Sequence, residues 1–190
     1  MTVYVILFRG VGGATQLPTR PLREALSAAG FKNVATYINS GNALVKSRLS
    51  REKVVHKITE ICRREFAFDK AIYAITREEW AALIDNNPFP DAVELGKFLH
   101  AAVLEGEPDR AKLDALRAFA KEGERIEVVG KVAYLHTPFG FGASKLAEKF
   151  DKGIGVANTA RNWNSVLKLM EMADRAASKR SPESARTRPI

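Results

Sequence analysis

The feature that most limits the fold is the order in which strand-like and helix-like segments follow one another. Residues 3–8, Val-Tyr-Val-Ile-Leu-Phe, form a short β-rich apolar run that predicts a buried strand. Gly10-Val11-Gly12-Gly13-Ala14 breaks it. Pro18 or Pro21 opens a helix that repeats Leu22, Ala25, Leu26 and Ala29 on one face and stops at Gly30. Residues 34–38 predict a second strand, Asn39-Ser40-Gly41-Asn42 a turn, and residues 43–46 a third strand, so these segments make a hairpin. Ser50 can cap a helix running to about Phe66. Residues 71–75 predict a fourth strand, and Thr76 with Glu79 makes a capping box for a short helix carrying Trp80, Leu83 and Ile84.

The order β-α-β-β-α-β is that of the ferredoxin-like, or α/β-plait, unit. A similar order then begins again. Asn87-Pro88-Phe89-Pro90 reads as a linker, followed by a strand at 98–104 and a helix after Pro108 with Leu113, Leu116 and Phe119. Residues 125–129 and 132–136 predict a hairpin about Gly130-Lys131, then comes a loop, and Ser144 can cap a helix to about Phe150. A last helix starts near Thr159 and buries Trp163, Val166, Leu167 and Met170. The repeat is one of pattern and not of residues. The expected class is therefore α+β: two ferredoxin-like units, with antiparallel sheets and helices on one face. The expected boundaries are a first unit with its short helix over 1–86, a linker over 87–97, a second unit with its C-terminal helix over 98–177, and a disordered tail over 178–190.

The chain has 190 residues, enough to bury a core, and its 46% hydrophobic and 27% charged residues are a globular mixture. No stretch approaches the roughly 20 apolar residues of a membrane span. The apolar start lacks a basic leader and reads as a strand, so no membrane partner is expected and the cytoplasm is the expected location. The single cysteine, Cys62, excludes an internal disulfide and shares a helical face with Val54, Ile58 and Ile61, which marks it as a core side chain. The formal charge is +8, of which three units lie after residue 178. Such an excess suits an anionic partner without requiring one.

Several strings occur in an order that resembles a known family. They are Leu7-Phe8-Arg9-Gly10 with Gly12-Gly13; Tyr37-Ile38-Asn39-Ser40-Gly41-Asn42; Asn87-Pro88-Phe89-Pro90; Ser144-Lys145-Leu146; and Thr159-Ala160-Arg161-Asn162-Trp163-Asn164. Together they resemble the bacterial domain-of-unknown-function family numbered 1697, over about residues 3–176. The resemblance implies a two-part α/β-plait architecture and implies no activity. The family's first loop usually reads Arg-Gly-Ile-Asn-Val-Gly-Gly. Here it is shorter by two residues and has no asparagine, so any contact that asparagine makes has been lost or replaced.

Three of these strings carry polar groups suited to an anion. The glycines at 10, 12 and 13 lie between a strand and a helix, where backbone N–H groups can face a ligand, and Arg9 adds a planar fork. The same glycines also satisfy a tight loop with no ligand. Gly10-Val11-Gly12 lacks the third glycine of a dinucleotide fingerprint, and no Gly-Lys-Ser/Thr loop is present. Asn39, Ser40 and Asn42 either close a hairpin or point short side chains into a site with Arg9. Thr159 is expected as a helix cap, with Arg161 in the first helical turn. There a positive charge opposes the dipole and calls for a partner, either a carboxylate or a ligand. Asn162 can bond backbone or ligand, and Trp163 begins the apolar face.

The candidate ligand-binding set is therefore Arg9, Gly10, Gly12, Gly13, Asn39, Ser40, Asn42, Arg161 and Asn162, with their convergence assumed. No catalytic residue is marked by motif. Ser144-Lys145 is a cap and its neighbour, and not a dyad. His56, His100 and His136 are scattered, although His100 and His136 sit on predicted strands of the second unit and could approach each other. No His/Cys/Asp/Glu spacing suggests a metal, and no cofactor is implied. Two arginines with amides suit recognition of a small phosphate- or nucleotide-like anion better than proton transfer. An enzyme acting on such a ligand, a nucleic-acid-binding module and a ligand-free structural or oligomeric protein are the alternatives. The aromatic-rich strand motif of RNA-recognition modules is missing, which makes nucleic acid the weaker partner. Nothing in the pattern fixes an oligomeric state.

Overall fold

A computed structural model describes residues 1–12, 15–38 and 41–178. Gly13, Asn39, Ser40 and residues 179–190, among the sequence expectations above, lie outside the described residues. The elements run in the order β1 (Thr2–Phe8), α1 (Thr19–Ala28), β2 (Lys32–Thr36), β3 (Asn42–Ser47), α2 (Arg51–Phe66), β4 (Ile72–Thr76) and α3 (Arg77–Asp85). They continue with β5 (Leu99–Leu104), α4 (Arg110–Arg117), β6 (Arg125–Val129), β7 (Val132–His136), α5 (Lys145–Gly153), β8 (Asn158–Asn162) and α6 (Trp163–Ser178). Both sheets are four-stranded and antiparallel, in the orders β2-β3-β1-β4 and β6-β7-β5-β8. The fold is α+β, built of two ferredoxin-like units, as the element order predicts.

The chain divides into one compact unit of Met1–Ala81 with Leu169–Ile190, and a second of Ala82–Lys168. In the first unit, Tyr4, Ile6, Phe8, Ala43, Val45 and Ala74 turn one face of the sheet onto Leu22 and Leu26 of α1 and Val54, Ile58 and Cys62 of α2. Cys62 is fully buried, and burial pushes its thiol up to about 12, so it is a core side chain. In the second unit Ala102, Leu104, Ile126, Ala133 and Leu135 pack on Leu116 of α4 and Leu146 and Phe150 of α5.

The units share a hydrogen-bond frame. Phe8 N donates to Gly41 O and Arg9 N to Ala71 O; in the second unit Leu104 N donates to Lys131 O and Glu105 N to Ala157 O. Strand pairing extends the match: Val3 faces Lys46 as Leu99 faces His136, and Tyr4 faces Thr76 as His100 faces Asn162. Arg9-Gly10 thus corresponds to Glu105-Gly106, Gly41 to Lys131, Lys32 to Arg125 and Ile75 to Arg161. One difference is a bulge in β2 between Lys32 and Ala35, where Asn33 takes a φ of 49°.

Capping follows the sequence in several places. Thr76 N donates to Glu79 Oε2 at 2.9 Å and Glu79 N to Thr76 Oγ1 at 3.2 Å, a complete capping box. Ser144 Oγ accepts from Ala147 N. Ser50 sits at the cap of α2 but its hydroxyl does not cap. Four expectations are corrected. Residues 158–162 are strand β8 and not a helix start, so Thr159 is no cap. The helix begins at Trp163, and Asn162 Oδ1 caps it by accepting from Ser165 N. Leu167 is exposed, because the register set by Asn162 turns Val166 and Leu169 inward instead. Phe119 is also exposed, since α4 ends at Arg117. The second strand ends at Thr36, and Ile38 is 52% exposed with a φ of 46°.

Candidate functional site

Three chain segments meet at one end of the first sheet: the loop after β1, the turn before β3 and the approach to β4. The Leu7–Asn42 and Leu7–Tyr73 pairs bring them there, because β1 ends where β3 and β4 begin. Gly41 fixes the closest approach. Its φ is +76°, and a Cβ there would stand 2.7 Å from Val11 Cγ2 and 2.8 Å from Phe8 O. Only glycine avoids both the left-handed strain and the overlap. Gly12 and Thr15 exchange both backbone hydrogen bonds.

The expected residues take distinct roles within this end. Asn42 is 2% exposed, and its Nδ2 donates to Tyr37 O at 3.3 Å, so its side chain closes the β2–β3 connection. Gly10 has a φ of +67°, and a methyl placed on it would lie 3.1 Å from Lys70 Cδ and 3.5 Å from Lys70 Nζ. The Gly10 amide makes no backbone hydrogen bond among the described residues. Lys70 is exposed and makes no hydrogen bond or ion pair among them. Lys70 was not singled out from the sequence. The only signal there was a basic residue just before β4, and its proximity to Gly10 comes from tertiary structure. Arg9 is half-buried, anchored through its backbone to Ala71.

Arg161 and Asn162 belong to the second unit. Arg161 lies on the edge strand β8 opposite Ala101, and its Nη1 donates to Thr159 Oγ1 at 2.9 Å and Ala160 O at 2.7 Å. Burial lowers its guanidinium to about 10. The helix-dipole conflict expected of Arg161 does not arise, because this residue is in a strand. Asn162 serves as the cap of α6.

His100 and His136, which could approach each other on their strands, do not. His136 pairs with Leu99 and His100 with Leu135, so the alternation of side chains sends the two rings to opposite faces. His100 stacks on Phe141 with ring centroids 4.1 Å apart, its Nδ1 is buried without a hydrogen-bond partner among the described residues, and burial lowers it to about 4. His136 Nδ1 lies 3.1 Å from Arg125 Nη2, and Arg125 forks onto Asp91 at 3.2 and 2.6 Å while resting 4.5 Å over the Phe89 ring. Burial first and the Arg125 charge second lower His136, and the hydrogen bond from Arg125 first lowers Asp91. Asn87 shapes this segment: its Oδ1 accepts from Phe89 N and its Nδ2 donates to Phe89 O. The Asn-Pro-Phe-Pro string, expected only as a linker, therefore anchors Arg125. Among the described residues no group of three or more His, Cys, Asp or Glu side chains could hold a metal. No helix among them is long and apolar enough to cross a membrane.

Comparison with known proteins gives a consistent result. No curated protein matches the chain. A solved structure of the conserved bacterial protein SP0830 from Streptococcus pneumoniae is similar in fold, with a TM-score of 0.69 at 20% identity, covering 90% of this chain and 98% of that one. The profile described as "Protein of unknown function (DUF1697)" matches residues 1–134. The chain belongs to that family of proteins of unknown function.

Proposed function

We propose that the loop end of the first sheet binds a small phosphate- or nucleotide-like anion. The observation that carries this reading is the meeting of the Arg9-Gly10 loop, the Gly41 turn and Lys70. It gathers two cations beside the exposed Gly10, whose amide makes no backbone hydrogen bond among the described residues. Such a set recognises negative charge by N–H donation and Coulomb attraction without proton transfer. Asn39 and Ser40 extend this turn in sequence and belong to the proposal, as does Gly13 in the loop. Arg161, held by neutral oxygens on its own strand, is a separate cation of the second unit. A cytoplasmic location suits a chain whose single cysteine is buried as a thiol.

The test is a thermal-shift screen with inorganic phosphate, nucleotides, sugar phosphates, short RNA and short DNA. A ligand at about 100 times its dissociation constant stabilises by about 2.7 kcal/mol. The expected result is a shift with small phosphorylated compounds that shrinks in Arg9→Ala and Lys70→Ala, both still folded. A shift of the same size in both variants, or none with any compound, would overturn the proposal.

A further inference from the structure

At the other end of the first sheet α1 has stopped at Ala28, β2 begins at Lys32, β3 ends at Ser47 and α2 begins at Arg51. A cleft of about 360 Å³ opens there, lined among others by Gly30, Phe31, Lys32, Ser47, Arg48 and Lys57. Its floor is fixed. Phe31 is 3% exposed and packs in the core, with Lys57 Nζ 5.7 Å from its ring centre. Ser47 is 6% exposed and accepts from Leu49 N, which leaves its hydroxyl hydrogen available as a donor. Gly30, with a φ of +92° and open space where a Cβ would be, keeps the wall bare.

The charge around the cleft is of one sign. Lys32, Arg48 and Lys57 come from three different segments, and no carboxylate lines the cleft. None of the three makes an ion pair or side-chain hydrogen bond among the described residues, while other cations such as Arg20, Arg51, Arg63 and Arg117 pair with nearby carboxylates. Glu52 and Glu60 lie along the adjoining groove of α2 with Lys57, outside this lining. The second unit handles the matching position in another way. Its counterpart of Lys32 is Arg125, which Asp91 neutralises through a fork and Phe89 supports from below. The frame thus supplies a carboxylate for this cation in the second unit and none for Lys32 among the described residues of the first.

We propose that this cleft is a second binding site, for a phosphorylated small molecule carrying at least two negative charges. Three cations call for more than one compensating charge, and a phosphomonoester carries about −1.5 to −2 at neutral pH. A volume of about 360 Å³ is at the low end for small-molecule sites, which run from about 300 to 1,000 Å³. The exposed positions of Lys32, Arg48 and Lys57 give access without opening the core.

The proposal is tested by calorimetric titration of the full chain with inorganic pyrophosphate at low salt. Wild type is compared with an Arg48→Ala/Lys57→Ala double variant and, separately, with Arg9→Ala/Lys70→Ala. All four side chains avoid the core, and unfolding midpoints confirm that the variants fold. The expected result is at least about tenfold weaker binding in the cleft variant. The loop-end variant keeps the cleft's binding event and weakens only a separate, loop-end event, which separates this site from the one proposed above. Unchanged pyrophosphate binding in the cleft variant overturns the proposal. So does an oligoribonucleotide that binds the cleft more tightly than pyrophosphate with a steep salt dependence, because the ligand would then be a nucleic-acid strand.

Discussion

After β1 the chain reads Arg9-Gly10, and at the matching point after β5 it reads Glu105-Gly106. The backbone hydrogen bonds around the two points are the same, donated to the hairpin turn and to the segment before the outer strand. The side chains differ in a consistent direction. Lys70 approaches Gly10 in the first unit, whereas the position matching Lys70 in the second is Val156. The first end carries the two cations Arg9 and Lys70, whereas the second carries Glu105 together with the exposed Lys131, which matches Gly41, tightly enclosed by Val11 and Phe8. One frame therefore carries two chemistries. Main-chain pairing conserves the shape, and the loop residues, which the pairing does not constrain, are free to set the charge.

The largest expected effect tests whether that tight approach belongs to one unit alone. Gly41→Ala adds left-handed strain and an overlap with Val11 and the Phe8 carbonyl, and should destabilise by about 2–4 kcal/mol. Lys131→Ala, at the matching position, should change stability by less than about 0.5 kcal/mol. Urea unfolding of both variants measures the difference, and equal costs would break the comparison.

The next effect concerns Tyr4 and His100, which occupy matching positions on the central strands. Tyr4 Oη donates to Leu49 O at 3.1 Å, while His100 Nδ1 is buried without a partner among the described residues. The folded state holds His100 at about 4, below its ordinary 6.5, so the unfolded chain takes up the proton first. The stabilisation is therefore present above about pH 6.5 and is lost as the pH falls towards about 4, by up to about 3 kcal/mol. His136, lowered in the same direction, adds to this slope. Unfolding free energies between pH 7 and pH 4 should fall less steeply in His100→Phe than in wild type. Identical slopes would show that the ring is hydrated.

The smallest effect sharpens the equivalence itself. Thr76 caps α3 and Asn162 caps α6 at matching positions, so Thr76→Ala and Asn162→Ala should each cost about 1 kcal/mol. Chemical denaturation of the two variants should give costs that agree to within about 0.5 kcal/mol.

Much of the frame was legible because it rests on local signals. The Thr76–Glu79 box, the Ser144 cap, Gly30 and the Gly130 turn each act within a few residues, and each appears where the sequence places it. Strand β8 was not legible. Asn158-Thr159-Ala160-Arg161-Asn162 offers one β-branched residue and no alternation, and its pairing with β5 is specified by the tertiary frame. The error carried Arg161 with it, since a charge in a helical turn and a charge on an edge strand need different partners. The site divided in the same way. Glycines that turn the chain could be read, but Lys70 beside Gly10, and Asp91 beneath Arg125, depend on segments brought together only by folding.

The proposed anion site is the loop end of the first unit and not its counterpart in the second. A titration of isotope-labelled protein with inorganic phosphate, followed through its backbone amide resonances, tests it most directly. Saturable shifts are expected at Gly10, Gly12 and Gly41, with Gly106 and Lys131 unmoved. Shifts of equal size at both ends, or none at Gly10 and Gly41, would contradict it.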